Sequence, residues 1–207
     1  MRRSLCSRYG IMARLPLLSA MTMAMLFAVL LAGQPARADA IRQAEDWLNT
    51  LDTLKARFIQ ISSDGSSAEG TLYLRRPFRS RFDYDDPNPV VLITTRTWLH
   101  VDDAEQREVV SYPVGETPIA MLLQEKVRLR GNDFSTRQQR ADGVVRVILE
   151  KPDGEAAGMV ILEFAEKPFA LKRWTVRDAT GITTTITLQN PERGLPLDAK
   201  LFVPTRY

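Results

Sequence analysis

The sequence predicts a mainly β domain of antiparallel strands, opened by one amphipathic helix and interrupted by a second, short and apolar one. Three observations carry this prediction. Short runs with period-two alternation succeed one another at close spacing through the middle and end of the chain. "IRQAEDWLNTLDTL" instead repeats apolar residues at three- and four-residue spacing. "GETPIAMLLQEKVRL" places helix-start signals between strand-like runs.

The chain has 207 residues, a length suited to one domain with a substantial core. Its beginning reads differently from the rest. Arg2, Arg3, Arg8 and Arg14 lead into an apolar run from Leu15 to Ala32, and "ARA" at Ala36 to Ala38 fits a small-x-small cleavage site. Residues 1–38 are therefore expected to be a cleaved secretory signal peptide and residues 39–207 a single domain. An uncleaved anchor is the alternative, because such a run just spans a bilayer; Pro16, Ser19 and Thr22 inside it argue for cleavage.

Cleavage changes the charge. Five of the 28 Lys and Arg, and none of the 25 Asp and Glu, fall in residues 1–38, which leaves 23 against 25 and a formal charge of −2. A nucleic-acid partner needs a basic excess on the working domain, so none is expected. The one cysteine, Cys6, precedes the apolar run, so the exported part has no disulfide and no thiol nucleophile.

Apolar Ile41, Ala44, Trp47, Leu48, Leu51 and Leu54 define the first helix. "KARFIQISSDG" then turns extended and meets a turn at Asp64-Gly65. "EGTLYLRR" and "SRFDYDD" form a hairpin broken at Pro77; it crowds Arg75, Arg76, Arg79 and Arg81 beside Asp83, Asp85 and Asp86, charges that can pair across strands. "VVLITT", "TWLHV" and "REVVSY" continue the meander. Thr117 offers an N-cap and Pro118 a first helical position for the inserted helix, followed by Ile119, Met121, Leu122 and Leu123. Such a helix amid strands is a plug or lid, or else a connector packed on the core. "VVRVILEK", "MVILEFA", "ALKRWTVRD" and "ITTTITLQN" resume the sheet, and "AKLFVPTRY" is expected as a short edge strand. Two of these runs, Val144 to Leu149 and Met159 to Phe164, are apolar on both faces, so the sheet must be covered on one side and curl around something on the other.

Chemistry of the usual catalytic kinds finds little footing. His100, the one histidine, sits in a strand-like run, and no H-E-x-x-H, G-x-S-x-G, G-x-G-x-x-G or P-loop pattern occurs. The acids Asp83, Asp85, Asp86, Asp102 and Asp103 lack calcium-loop spacing. No cofactor and no metal are expected, and a secreted hydrolase built on His100 is the alternative of another class.

The ordered series "ARFIQ", "GTLYLRRP", "RFDYDDP", "TWLHVDD", "TPIAMLL" and "AKLFVP" resembles the periplasmic lipoprotein carriers of the LolA family, across residues 39–207. The G-x-L-x-x-x-R-P unit at Gly70 to Pro77, followed by Phe82 and Tyr84, is its most specific part. Thr95-Arg96-Thr97 departs from the glycine-containing turn of the family, which leaves that turn open. The resemblance implies an unclosed antiparallel β-barrel, a half-pipe whose helical lid covers an apolar hollow for acyl chains. It implies a monomer with acylated lipoproteins as cargo, an inner-membrane lipoprotein-releasing ABC transporter as donor and an outer-membrane acceptor. It also implies that Arg76 holds the lid, built around Pro118, Ile119, Met121, Leu122 and Leu123. Expected cavity residues are Phe58, Leu72, Leu74, Phe82, Trp98, Leu122, Ile148, Ile161, Phe164 and Trp174, although the pattern leaves open which strand face looks inward. A carrier or sensor of another lipid or glycolipid would fit the same half-pipe.

Overall fold

The computed structural model describes residues 39–87, 90–117, 120–132, 134–152, 157–205 and 207. The expected signal peptide, and Pro118 and Ile119 of the expected lid, lie outside these. Helix α1 (Ala40–Asn49) starts where Asp39 accepts a hydrogen bond from the Ile41 amide at 3.1 Å. Ala40, Ile41, Ala44, Trp47 and Leu48 are buried and form the inward stripe; the helix ends at Asn49, so Leu51 and Leu54, expected within it, are buried beyond it, Leu54 in the strand that follows.

Among the described residues, eleven strands then build one antiparallel sheet. They are β1 (Thr53–Ser62), β2 (Ser67–Arg75), β3 (Arg79–Tyr84), β4 (Val90–Thr94), β5 (Trp98–Asp103), β6 (Glu108–Pro113), β7 (Ser135–Ala141), β8 (Val144–Lys151), β9 (Gly158–Glu166), β10 (Phe169–Arg177) and β11 (Thr183–Arg193). Their order is β6-β5-β4-β3-β2-β1-β11-β10-β9-β8-β7, so two meanders join where β1 pairs with β11. Strands β6 and β7 are the edges and do not pair with each other, which makes the sheet unclosed.

Register assigns the faces. Leu54, Ala56 and Phe58 alternate as buried positions of β1 and stand opposite Leu74, Leu72 and Gly70 of β2. Leu72 in turn faces Phe82, and Phe82 faces Leu92. In the second meander Val145, Val147, Leu149, Val160, Leu162 and Phe164 line the inner face and share one core with α1, where Trp47 meets the Phe164 ring edge-on at 5.7 Å. Gly70 is required by the packing. A Cβ there would collide with the Asp83 carbonyl oxygen and sit 2.7 Å from carbons of the Phe58 ring.

The charged hairpin divides its work. Arg81 pairs with Asp83 at 2.5 Å and Arg57 with Asp85 at 2.5 Å. Arg75 and Arg81 also donate to the Leu197 and Leu201 carbonyls at 3.3 and 3.0 Å, which fastens the C-terminal segment onto the outer face. That segment is a 3-10 helix, Ala199–Phe202, and not the edge strand expected. Pro196 and Pro204 deny it ladder donors, and its ties run instead to Asp102, which accepts from the Thr205 amide at 3.0 Å and the Tyr207 hydroxyl at 2.8 Å.

Three local departures follow. Strand β7, "STRQQRA", had no apolar alternation to reveal it; it is an exposed edge, joined to β8 through the Asp142-Gly143 turn. The inserted helix α2 shows only Ala120–Leu123 among the described residues, and the chain beyond it continues without regular structure. Thr117 precedes it, its carbonyl accepting from the Ala120 amide at 3.1 Å and its hydroxyl donating to the Val114 carbonyl at 2.7 Å. The glycine-free turn at Thr95-Arg96-Thr97 is tight nonetheless, closed by Thr95, whose amide donates to the Trp98 carbonyl at 2.8 Å and whose hydroxyl accepts from the Trp98 amide at 3.1 Å.

Candidate lipid-binding cavity and its latch

A cavity of about 400 Å³ opens on the concave side between the first meander and strands β10 and β11. Phe82, Tyr84, Leu92, Leu99, Trp174 and Ile186 give it apolar walls, and Gln60, Thr94 and Thr117 contribute the polar ones. The Tyr84 hydroxyl donates to the Gln60 side-chain oxygen at 2.8 Å, and burial pushes that phenol up to about 12, so it stays a neutral donor at any physiological pH. Phe58 sits beneath, edge-on to Phe82 at 5.4 Å and to Tyr84 at 5.2 Å. Trp174 meets Phe82 at 6.4 Å, and its buried indole N–H has no hydrogen-bond partner among the described residues.

Of the residues expected from sequence, Phe82 and Trp174 line this cavity. Phe58, Leu72, Leu122 and Phe164 are buried in the continuous core around it, and Leu74 packs against that core. Trp98, Ile148 and Ile161 do not belong to the inner face. Trp98 starts β5 on the outer side and is 44% exposed. Ile148 and Ile161 face each other across β8 and β9 on the side opposite Val147 and Leu162. Both faces of these strands are apolar, so period-two alternation carried no sign for inside and outside. Leu92, Leu99, Ile186 and Tyr84 were the inner residues that sequence reading passed over; once Leu72 and Phe82 are placed inside, counting by twos along each strand finds them.

The cavity is covered by the chain that links the two edge strands. Thr117 lines the cavity itself, and Ala120, Met121 and Gln124 border a second hollow with Leu149 and Val160 of the opposite wall. Leu122 and Leu123 are buried. Beyond α2 this linking chain lies along α1. The Asn49 amide donates to the Val127 carbonyl at 3.0 Å and its oxygen accepts from the Val127 amide at 2.8 Å. Glu45 accepts from the Leu129 amide at 2.6 Å, and Arg130 pairs with Asp39 at 2.7 Å.

Arg76 joins the parts. Its guanidinium donates to the carbonyls of Leu48, of Gln124 at 2.6 Å and of Glu125 at 3.2 Å. Leu48 is in the last turn of α1 and Gln124 and Glu125 follow α2, so one cation ties together carbonyls at two helix ends. The neighbouring Phe78 amide donates to the Leu123 carbonyl at 2.7 Å. Burial draws the Arg76 pKa below its usual value while Asp52 opposes the shift; an arginine so placed stays charged. His100 is elsewhere. It bonds Ser111 at 2.8 Å on the outer face, and burial lowers its pKa, which leaves a neutral ring at pH 7.

A curved sheet that wraps an apolar hollow beneath a tethered cover is the architecture of a protein that holds an apolar ligand. The chain belongs to the family described as outer membrane lipoprotein carrier protein LolA, whose model matches residues 49–205. It is 31% identical over 189 residues to an outer-membrane lipoprotein carrier protein of Azotobacter vinelandii, covering 86% of this chain and 90% of that one. It is 29% identical over 167 residues to one of Methylococcus capsulatus, covering 76% of this chain and 79% of the relative. Among solved structures, an uncharacterized conserved protein from Thermus thermophilus shares the fold, with a TM-score of 0.50, 10% identity and coverage of 79% of this chain and 93% of that one.

Proposed function

We propose that residues 39–207 are a monomeric periplasmic carrier, exported by a cleaved signal peptide at residues 1–38, that moves lipoproteins from the inner to the outer membrane by sheltering their acyl chains. Each methylene exposed to water costs about 0.8 kcal/mol, so an acylated protein needs a dry container to cross an aqueous space. The observation that supports this reading best is the apolar cavity under a cover held by polar ties around Arg76. Ligand pockets run to roughly 300–1,000 Å³, and 400 Å³ is near the small end. A multiply acylated anchor therefore requires the cover to yield, with Met121, Leu122 and Leu123 moving from the core to the cargo. Pro118 and Ile119 belong to the same proposed lid.

The sequence holds no ATP-binding motif, so the work of extracting lipid comes from a donor. An inner-membrane lipoprotein-releasing ABC transporter fills that role, and an outer-membrane acceptor takes the cargo. The test is lipoprotein release. Purified exported protein is added to spheroplasts making a labelled lipoprotein, with the transporter of the same organism present. The expected result is a soluble complex that needs the acyl anchor. A folded protein that releases nothing overturns the reading, and lipid extracted from the protein, identified by mass spectrometry as a free glycolipid, would replace it with a carrier of that lipid.

A further inference from the structure

Arg76 does not serve the cover alone. It also lines a pocket of about 650 Å³ on the other side of the β2–β3 turn, together with Arg75, Arg79 and Arg96. The remaining wall is largely apolar, from Phe78, Phe202 and Val203, and no carboxylate is among its lining residues. Arg79 and Arg96 are exposed, and neither forms an ion pair among the described residues. Arg96 is held in place by stacking, its guanidinium carbon 4.0 Å from the centre of the Phe78 ring. An adjoining groove shares Phe78, Thr95 and Arg96 and adds Lys126 and Arg128, against a single acid, Glu125. Six cations, Arg75, Arg76, Arg79, Arg96, Lys126 and Arg128, thus gather at one end of the sheet, where a low-dielectric wall focuses their field.

The same end carries exposed apolar side chains, Val203 at 58% and Trp98 at 44%. Arginines around an apolar floor with a tryptophan beside them match the chemistry of a bilayer interface, where aromatic rings sit at headgroup depth and cations meet lipid phosphates. We propose that this pocket seats the phosphate of an anionic phospholipid, so that the protein meets the membrane with the end at which its cover is latched. A phosphate there offers Arg76 charged oxygens in place of neutral carbonyls, and charge-assisted hydrogen bonds are the stronger kind. Membrane contact then loosens the grip on Gln124 and Glu125 where acyl chains are at hand. The coupling to loading rests on the carrier reading; the lipid site does not.

The experiment is flotation of the purified exported protein with vesicles of phosphatidylcholine alone or mixed equally with phosphatidylglycerol. The expected result is recovery with the anionic vesicles only, weakening as salt rises past physiological strength. Arg79→Gln and Arg96→Gln should each lower the partition roughly fivefold, the effect of one cation near a charged surface, with melting temperatures unchanged. Equal recovery on both vesicle types, or anionic binding unaltered in both variants, overturns the proposal. So does absence of vesicle binding combined with loss, in the two variants, of a complex with the purified acceptor, which would assign the pocket to an acidic protein. A protein that ignores anionic vesicles yet releases lipoprotein from spheroplasts refutes this inference alone; one that binds them and releases nothing refutes the carrier reading alone.

Discussion

Replacing Arg76 with leucine should make the carrier hold its cargo more tightly, not less. The guanidinium makes three hydrogen bonds to carbonyls, two at solvent-facing positions and one, to Leu48, partly buried. A hydrogen bond to a charged group contributes roughly 1.5–3 kcal/mol when protected, and water competes for the two outer ones, so the latch as a whole is put at about 2–3 kcal/mol. All of that belongs to the empty, closed protein. With chains in the cavity and the cover displaced, the bonds are already broken, and the substitution costs the loaded form little. By the thermodynamic cycle, affinity for cargo should rise by the latch energy, roughly 30- to 150-fold, and dissociation should slow accordingly. The sheet does not depend on Arg76, so the variant should fold. The assay is transfer of a labelled lipoprotein from the purified complex to the acceptor, with hydrogen exchange at the Phe78 and Val127 amides of the empty protein as a second readout. Transfer at the wild-type rate, with those amides as protected as before, would refute the reasoning.

Leu122→Asp places a carboxylate at a buried position of α2, which costs several kcal/mol; loading should fall, and normal loading would reduce the helix to a connector. Asn49→Ala removes both hydrogen bonds to Val127, worth about 2 kcal/mol together, and should lower the melting temperature by about 4–8 °C. The Asp102 carboxyl is pushed up by burial but pulled down further by the Thr205 and Tyr207 hydrogen bonds, so its pKa lies below the ordinary value. A depressed carboxylate stabilises the fold above its unfolded pKa and loses that contribution as pH falls through the folded one. The acid limb of melting temperature against pH, below about pH 4, should therefore flatten in Asp102→Asn; a limb as steep as that of wild type would place the acid sensitivity elsewhere. Trp174→Phe should abolish the change in tryptophan fluorescence on loading, because Trp174 lines the cavity; a change of full size would move the signal to Trp47 or Trp98.

The first meander was legible because its side chains take sides. Leu72, Leu74 and Phe82 alternate with Tyr73, Arg75, Arg81 and Asp83, so the apolar side of each strand was plain, and the structure turns that side inward. Helix α1 was equally plain from Ile41, Ala44, Trp47 and Leu48. Legibility ended where both faces of a strand are apolar, and so Ile148 and Ile161 were placed inside although Val147 and Leu162 hold that position. It also ended where contacts replace pattern. The residues after α2 owe their path to Asn49, Glu45 and Asp39 on another element, and nothing within "QEKVRL" states this. Trp98 was expected in the cavity, whereas β5 turns it outward.

The missing seam between β6 and β7 has a mechanical consequence. To dilate, a closed barrel must unzip a ladder of backbone hydrogen bonds, every one of which has to be remade afterwards. Among the described residues the slit is already free of them, and the chain that carries α2 runs from one margin to the other. Widening the trough asks for side-chain contacts and a few carbonyl ties to be exchanged while every strand keeps its neighbours. Compliance is thereby confined to one line of the molecule, and the rest can stay stiff through each round of filling and emptying.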